Sequence, residues 1–381
     1  MKICDFLIIG AGIAGASAAC ELSAHGRVIV LEREDAPGYH TTGRSAAQFI
    51  ETYGNRVIRH LTRASRAFYV APHRGFAEHP LVKTRPALFI AREDQLDDLA
   101  RFEEDVRPLA PTIERLSSRE VAQLIPVMRE DYVAAGVIEP ESMDIDVHAL
   151  HQGYLSRLRR RGGEVVVNAQ VAALSRQADT WRVETRAGRF AAPVVINAAG
   201  AWSDELARLA GARPIGLQPK RRTAITFDGP DGMSCGAWPL VADIGEKFYF
   251  KPESGRILAS PADETPMPPC DVQPDEIDIA ITVDRIETAT TLKVRRIEHK
   301  WAGLRSFVAD KSLVIGFDDA VQGFFWLVGQ GGYGIQTAAA AARTAAGLII
   351  AGQLPDDIAE LGLRAEDIGP GRLRRTHSRA S

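Results

Sequence analysis

The N-terminal segment of the chain carries the feature that most restricts its fold. Residues 6–9 form an apolar run, which is typical of a buried strand, and Gly10, Gly12 and Gly15 follow it with the spacing G-x-G-x-x-G at the start of a predicted helix. The first glycine permits a tight turn, the second lets a pyrophosphate approach the backbone, and the third allows close packing of the helix on the strand. The pattern predicts a dinucleotide whose phosphates lie at the N-terminus of this helix.

A second strand and an acid complete this unit. Residues 27–31 have a strand pattern, and Glu32 follows at its end, where a carboxylate can accept hydrogen bonds from ribose hydroxyls. An acid at this position disfavours a 2′-phosphate. The unit by itself leaves open whether the dinucleotide is FAD or a nicotinamide cofactor.

Composition narrows the partners and the compartment. A chain of 381 residues is longer than one hydrophobic core usually allows, so we predict two lobes. Its 46 basic and 49 acidic residues nearly balance, which argues against a nucleic-acid partner. The four cysteines are scattered, without metal-ligand or disulfide-framework spacing, so we expect no metal site and reduced thiols in a cytoplasmic protein.

The two ends of the chain lack targeting features. No secretory signal precedes the first strand. Residues 338–352 are alanine-rich, but Arg343 interrupts them and they are too short to cross a bilayer, so they predict a buried helix and no transmembrane segment. Residues 369–381 place four arginines among glycine, proline and serine, which predicts a disordered basic tail.

Three internal segments carry weaker signals. Residues 46–56 contain Gln48, Tyr53 and Gly54, and they fit either a mobile flap hinged at Gly54 or an ordinary helix end. The strand at residues 194–197 runs into a small-residue turn that is suited either to a cofactor contact or to an ordinary crossover. Residues 214–291 alternate as half-buried strands, which indicates a second sheet.

Seven segments, in order along the chain, carry a family resemblance: GAGIAGAS, LEREDAPGYHTTGRSAA, DIDVHALHQGYL, NAAGAW, LQPKRR, WAGLRSFVAD and GFFWLVGQGGYGIQT. Together they resemble the FAD-dependent oxidoreductases of the D-amino-acid oxidase superfamily, and most closely the bacterial D-arginine dehydrogenase type. The resemblance spans nearly the whole chain and implies that the dinucleotide is FAD.

The resemblance also implies which residues hold the cofactor. FAD should be bound without a covalent link, because no cysteine follows Cys270. Residues 331–335 should place a helix N-terminus at the flavin pyrimidine edge, where its dipole would stabilise negative charge. The complete implied set is Gly10, Gly12, Ala14, Gly15, Glu32, Arg33, Gly43, Arg44, Ser45, Ala46, Val171, Ala199, Gly200, Trp202, Gly331, Gly332, Tyr333, Gly334 and Ile335.

Arginine and tyrosine hold the substrate carboxylate in this family. The matching residues are Arg222, Arg305 and Tyr249, together with Tyr53 of the flap. A guanidinium binds a carboxylate through two hydrogen bonds and fixes Cα over the flavin. Strand alternation predicts that Arg221 points away from Arg222. Gln48 stands where the closest relatives carry histidine, and Gly332 is expected in the same pocket.

Ala87 departs from the D-arginine pattern, which has a glutamate at this position. Alternation places Ala87 and Phe89 on one face of a strand, so both are predicted to line an apolar pocket. A buried cationic side chain would lack a partner there, which favours apolar or aromatic D-amino acids. Glu51 or Asp243 would be the substitute carboxylate if the substrate were cationic.

The predicted fold is α/β, with a Rossmann-like FAD-binding domain and an α+β substrate-binding domain. The FAD-binding domain is discontinuous, at residues 1–80, 145–214 and 300–368, and residues 81–144 and 215–299 form the substrate-binding domain. This is the arrangement that the resemblance implies.

The implied activity is that of an FAD-dependent D-amino acid dehydrogenase. Hydride would leave Cα for flavin N5, and the imino acid would hydrolyse to a 2-oxo acid and ammonia. Oxidation of a secondary amine or a 2-hydroxy acid is an alternative on the same fold, since a carboxylate clamp does not read the group on Cα. A non-catalytic flavoprotein is a third. The sequence leaves the electron acceptor open between a quinone and oxygen.

Overall fold

A computed structural model describes residues 1–375 of the chain. Its strands, in chain order, are β1 (Lys2–Ile3), β2 (Phe6–Ile9), β3 (Val28–Leu31), β4 (Gln48–Phe49), β5 (Val82–Thr84), β6 (Ala87–Ala91), β7 (Glu114–Ser117), β8 (Ala135–Glu139), β9 (Met143–Ile145), β10 (Glu164–Val166), β11 (Val171–Gln177), β12 (Thr180–Thr185), β13 (Gly188–Ala192), β14 (Val194–Asn197), β15 (Gln218–Asp228), β16 (Leu240–Asp243), β17 (Tyr249–Glu253), β18 (Arg256–Ser260), β19 (Thr265–Pro266), β20 (His299–Phe307), β21 (Val314–Phe317) and β22 (Phe324–Val328).

The α-helices are α1 (Ile13–Leu22), α2 (Arg56–Val70), α3 (Leu96–Val106), α4 (Ser118–Leu124), α5 (Val147–Arg160), α6 (Ser203–Leu209), α7 (Glu276–Ala289), α8 (Ala338–Ile350), α9 (Asp356–Glu360), α10 (Ala365–Ile368) and α11 (Gly371–Arg375). Short 3₁₀ helices occupy Thr42–Arg44, Glu93–Gln95 and Gly200–Trp202. In the described part of the chain, no helix has the length and apolar character needed to cross a membrane.

The first sheet has six strands in the order β10, β3, β2, β14, β22, β21. All neighbours are parallel except β21, which runs antiparallel to β22. All four residues of β2 are buried, as a strand covered on both faces requires. One face packs against α1 and α8, and the other packs against residues of a four-stranded sheet formed by β1, β13, β12 and β11. This arrangement confirms the predicted α/β class.

The second sheet has nine strands. Eight follow the order β19, β15, β18, β17, β16, β6, β8, β7, and β20 pairs with β15. One face of this sheet packs against α7 and α4 around buried Phe250, Ile286 and Val121. The predicted domain boundary at residue 300 cuts through β20, whose nine residues pair with β15 from His299 to Phe307.

Local signals explain several element ends. α5 begins after Asp146, whose carboxylate accepts from the Ala149 amide at 2.8 Å, and it ends just before Gly162, which has a φ of +81°. The sequence pattern extends this helix back to residue 144, but residues 143–145 form β9. All four cysteines are free thiols.

The prediction of a disordered tail is wrong for its first part. Residues 371–375 form α11, and two of its arginines bind aspartates that follow β20 and β21. Arg372 contacts Asp310 at 2.7 Å, and Arg374 contacts the buried Asp318 at 2.6 Å. These ion pairs order a segment whose composition resembles a linker. Residues 376–381 lie outside the described part of the chain.

Candidate active site

A cavity of about 860 Å³ runs from the glycine turn of the first sheet to the second sheet. Its volume lies in the upper part of the usual range for ligand sites. Both sheets and the loops between them supply its walls. Most of the cofactor and substrate residues that the sequence indicates line this cavity. The exceptions are Gly15, Gly43 and Ala87.

The glycine turn has the geometry that its motif requires. Gly10 has a φ of +107°, and a Cβ there would lie 2.3 Å from the Ala198 carbonyl oxygen. A Cβ on Gly15 would lie 1.9 Å from the Gly10 oxygen, so this residue holds α1 against β2 and does not itself line the cavity. Gly12 faces the cavity, and only the Thr42 hydroxyl, 3.2 Å away, would meet a Cβ there. The backbone at Gly12 is therefore open to a phosphate.

Glu32 lies at the end of β3 and is only 7% exposed. Its Oε2 accepts from the Ala11 amide at 2.9 Å, and its Oε1 accepts from the Glu34 amide at 3.1 Å. These bonds fix the carboxylate at the cavity wall, while each oxygen retains capacity for a hydroxyl donor. The position suits a ribose.

Small and aromatic residues line the cavity near Glu32. The Arg33 guanidinium lies 4.6 Å from the centre of the Trp202 ring. Ala14, Val171, Ala199 and Gly200 also line this part of the cavity, together with Arg33 and Trp202. The small-residue turn after β14 therefore faces the cavity. This position agrees with the prediction of a cofactor contact rather than an ordinary crossover at this turn.

The loop after β3 lines the cavity at most of its predicted positions. Arg44, Ser45 and Ala46 line it, whereas Gly43 does not, and the Gly43 amide donates to the Gly38 oxygen at 2.8 Å in a tight turn. The Arg44 guanidinium donates to the carbonyls of Val272 and Ala302, at 3.0 and 3.2 Å, and pairs with Asp271. The Arg44 side chain thus ties the loop to the substrate side of the molecule.

Residues 331–335 line the cavity but do not begin a helix. They form consecutive turns, and α8 starts only at Ala338. Gly331 has a φ of +51°, and its amide donates to the Ser306 oxygen at 2.9 Å. The predicted helix N-terminus at this position is wrong because a left-handed residue and the bond to β20 hold the segment in turns. Gly332, Tyr333, Gly334 and Ile335 remain cavity residues.

Arg305 is a deeply placed cation whose accessible side faces the cavity. Burial acts to lower its pKa, but nearby Tyr53, Tyr249 and Tyr333 outweigh burial, so the pKa is raised and the guanidinium stays charged. Within residues 1–375, no carboxylate forms an ion pair with it. Gly332 lies directly against it, since a Cβ there would be 2.7 Å from Arg305 Nη1. An internal cation without an acid suits an anionic ligand.

Arg222 faces the same cavity from β15. Its Nε donates to the Asp263 carbonyl at 2.9 Å, and its Nη2 lies 3.6 Å from Glu264. Register places Arg222 opposite Gly303 and Arg305 opposite Lys220, so the two arginines are diagonal neighbours on one face. Arg221 points to the other face and binds Asp278 at 2.8 Å, as the alternation predicted.

An apolar wall closes the end of the cavity beyond the arginines. Phe89 and Phe102 lie with ring centres 4.7 Å apart, and Leu240, Ala242 and Ile244 line the same cavity. Only Phe89 of this group is a predicted pocket residue. The sequence does not indicate Phe102 as a pocket residue, because most residues of its helix α3 are charged.

Ala87 does not line the cavity, contrary to the prediction. It is 0% exposed and lies in a buried cluster with Ile50 and Phe89. Gln48 does line the cavity, and its amide donates to the Arg85 carbonyl at 2.9 Å, immediately before this strand. Packing beneath the flap segment covers Ala87, which strand alternation alone cannot reveal.

Neither proposed substitute carboxylate is free. Glu51 pairs with Arg66 at 3.1 Å and does not line the cavity. Asp243 is at the cavity wall, but its Oδ1 accepts from the Gly245 amide at 3.0 Å and its Oδ2 lies 3.6 Å from Arg92. Glu246, which the sequence did not single out, is an exposed acid of the cavity lining.

His151 is a core residue and does not line the cavity. His151 is buried, and its Nε2 lies 2.8 Å from the Ala11 oxygen. Burial lowers its pKa, so it is a neutral core residue that supports the glycine turn.

Comparison with known proteins agrees with this geometry. A family model described as "DAO: FAD dependent oxidoreductase" matches residues 5–348. The uncharacterized oxidoreductase YurR of Bacillus subtilis is 25% identical over 275 residues, covering 68% of this chain and 71% of that protein. Mouse mitochondrial dimethylglycine dehydrogenase is 23% identical over 65% of this chain, which spans only 30% of that protein's length.

Solved structures share the fold. L-proline dehydrogenase from P. horikoshii superposes with a TM-score of 0.86 at 20% identity, covering 98% of this chain and 99% of that one. L-α-glycerophosphate oxidase from Mycoplasma pneumoniae, solved with FAD bound, gives a TM-score of 0.81 at 20% identity, covering 92% and 95%. The open glycine turn, the fixed Glu32 carboxylate and the family match agree on the cofactor. This chain belongs to the DAO family of FAD-dependent oxidoreductases, and its cofactor is FAD.

Proposed function

We propose that this protein oxidises the Cα–N bond of a D-amino acid with an apolar or aromatic side chain. The imino acid formed reacts with water to give a 2-oxo acid and ammonia. The observation that carries the proposal is Arg305, an internal cation beside the cofactor segment that has no acid partner within residues 1–375.

The two arginines form the carboxylate site in this proposal. Arg305 and Arg222 approach from adjacent strands, and each guanidinium can donate two parallel hydrogen bonds to a carboxylate. Tyr249 and Tyr53 line the cavity next to Arg305 and offer hydroxyl donors. This clamp orients Cα and leaves the amine and side chain free to point along the cavity.

The side-chain preference rests on the apolar wall. Phe89, Phe102 and Leu240 present hydrocarbon to the cavity, and burying an aromatic side chain against them is favourable. This support replaces the argument from Ala87, which is covered. Glu246 is exposed to solvent, where its charge is screened, so it favours a cationic side chain only weakly.

The cofactor residues complete the site. When bound, FAD supplies the acceptor for the two electrons that leave the substrate. Gly12, Glu32 and residues 331–335 would hold it. The amine proton would leave to solvent. We assign dehydrogenase activity from the resemblance to D-arginine dehydrogenase, and the electron acceptor is either a quinone or oxygen.

A second candidate is the oxidation of a secondary amine or a 2-hydroxy acid. Relatives and neighbours of this chain are named for such substrates, among them mouse dimethylglycine dehydrogenase and L-2-hydroxyglutarate dehydrogenase of Escherichia coli K12, the latter 27% identical over 55% of this chain and 50% of that protein. The arginine pair would serve any of these carboxylates equally well.

Anaerobic mixing of the holoenzyme with a substrate panel tests the proposal. The panel contains D- and L-phenylalanine, D-arginine, L-proline, sarcosine and a 2-hydroxy acid, and loss of visible flavin absorbance reports reduction. We expect D-phenylalanine to bleach FAD at least about 10-fold faster than D-arginine, because the apolar wall leaves the guanidinium unpaired.

Other outcomes have distinct meanings. Bleaching by L-proline, sarcosine or the hydroxy acid alone would favour the second candidate. A holoenzyme with full FAD occupancy that no carboxylate donor bleaches would point to a non-catalytic flavoprotein. A comparison of the rates at which air and a soluble quinone reoxidise the reduced flavin then identifies the acceptor class.

A further inference from the structure

Glu139 is a buried acid that the mechanism does not use. It ends β8, directly opposite Ala87 in the antiparallel ladder, and it is only 3% exposed. Within residues 1–375, no cation forms an ion pair with it, and burial raises its pKa. A buried carboxylate without a cation is costly, and its hydrogen bonds must offset that cost.

Two consecutive residues of another part of the chain, Glu51 and Thr52, donate hydrogen bonds to Glu139. The Glu51 amide donates to Oε1 at 2.9 Å, and the Thr52 amide donates to Oε2 at 3.2 Å. The Thr52 hydroxyl donates to Oε2 at 2.5 Å. One side chain of the second sheet therefore holds the backbone immediately before Tyr53.

The chain around Tyr53 is fixed on its other sides as well. The Thr52 carbonyl accepts from Arg59 Nε at 3.0 Å, and the Ile50 amide donates to Gln336 at 3.4 Å. Gly54, with a φ of +88°, leads into α2, and the Tyr53 ring lies 4.9 Å from that of Tyr333. Among these contacts, only Glu139 binds two successive amides, so it sets the direction in which the chain enters Tyr53.

We infer that Glu139 is a positioning residue that holds Tyr53 at the substrate carboxylate site, an inference that rests on the proposed function. Glu139 does not touch the substrate. It acts by fixing the backbone of residues 51 and 52. The Tyr53 hydroxyl is then already placed beside Arg305, and less conformational entropy is lost when the ligand binds. Residues 50–54 are thus an anchored segment of the pocket rather than a flap hinged at Gly54.

Binding of benzoate to the holoenzyme, read from the change in the visible flavin spectrum, tests this inference. Benzoate carries the carboxylate and an apolar ring but no amine, so its binding does not depend on turnover. We expect Glu139→Gln to weaken benzoate binding about 10-fold, because the amide group cannot accept from both sets of donors. In turnover with the best substrate, KM should rise more than kcat falls, while FAD content stays at the wild-type level.

A double-mutant cycle with Tyr53→Phe separates positioning from general destabilisation. If Glu139 acts through the Tyr53 hydroxyl, adding Glu139→Gln to Tyr53→Phe should weaken binding by less than about 2-fold. Glu141→Gln is the matched control, because this nearby acid pairs only with Arg66 at the surface. It should bind benzoate within about 2-fold of the wild type.

Each contrary outcome is informative. Wild-type affinity in Glu139→Gln, or full additivity in the cycle, would overturn the inference and leave the proposed function standing. If Glu139→Gln fails to fold, Thr52→Val, which removes the Thr52 hydroxyl donor, must weaken binding in the same direction, and no change there would overturn the inference. A wild-type holoenzyme that binds no carboxylate would overturn the proposed function and this inference with it.

Discussion

At the scale of single residues, the site depends on Arg305, with which no carboxylate within residues 1–375 forms an ion pair. Arg305 lies among Tyr53, Tyr249 and Tyr333, which raise its pKa against the opposing effect of burial. The side chain therefore gains most from a ligand that brings a carboxylate. Gly332 allows this arrangement, because its lack of a side chain lets the backbone of residues 331–335 approach the guanidinium.

Gly332→Ala should therefore impair substrate binding. The added Cβ would lie 2.7 Å from Arg305 Nη1 and displace the guanidinium. We expect kcat/KM, measured on FAD-saturated protein, to fall about 100-fold, as for other small displacements of binding groups. Gly236→Ala is the control, since a Cβ there meets only Ser234 Oγ at 4.0 Å. A wild-type KM in Gly332→Ala would show that Arg305 does not bind the substrate.

At the scale of elements, the proposed phosphate-binding turn depends on close packing of α1 against the end of β2. Gly15 brings the helix so close that a Cβ would lie 1.9 Å from the Gly10 oxygen. This contact aims the N-terminus of α1, which begins at Ile13, at the cavity. The Ile13 amide donates to Thr42 Oγ1 at 2.9 Å, so the following loop is fixed to the same helix end.

Gly15→Ala should accordingly reduce FAD binding. The helix must move away from the strand, and the phosphate-binding amides move with it. We expect purified protein with a much lower ratio of FAD to polypeptide, measured from the flavin and protein absorbances, while Gly236→Ala keeps the wild-type ratio. Full FAD occupancy in Gly15→Ala would contradict the role of this contact.

Elements with a local signal were predictable from the sequence, whereas contacts set by distant register were not. The glycine turn and the opposite directions of Arg221 and Arg222 follow from spacing and alternation, and the structure agrees. The prediction that Ala87 lines the cavity was wrong because Ile50, which packs with Ala87 in a buried cluster, comes from another part of the chain. Glu139 was missed for the same reason, since its donors lie 87 and 88 residues away. Its only local signal is an acid at the end of an apolar strand.

At the scale of the whole molecule, α11 stabilises the edge of the first sheet at β21. Asp318 accepts from the Trp326 indole at 3.0 Å and pairs with Arg374 at 2.6 Å. Burial acts to raise the pKa of Asp318, but the Ala320 and Val321 amides, Trp326 and Arg374 outweigh burial and lower it. A lowered pKa in the folded state stabilises the protein above the ordinary pKa of an aspartate, and this stability is lost as pH falls.

Arg374→Gln should destabilise the protein by about 2 kcal/mol at neutral pH, because Asp318 is left buried without its cation. Urea unfolding measures this difference, which should shrink at acidic pH as Asp318 becomes protonated. Arg101→Gln removes an exposed pair with Asp98 and should cost less than about 0.5 kcal/mol. Equal effects of the two substitutions would show that α11 adds no stability.

The account as a whole requires that Arg305 binds the carboxylate of the molecule that reduces FAD. The most direct measurement compares wild type and Arg305→Met holoenzymes, each with full FAD, for anaerobic bleaching by D-phenylalanine. We expect rapid bleaching of the wild type. In the variant, the second-order rate constant of flavin reduction should fall at least about 100-fold, because a charge-assisted pair with the carboxylate is lost. Equal rates in the two proteins would contradict the account.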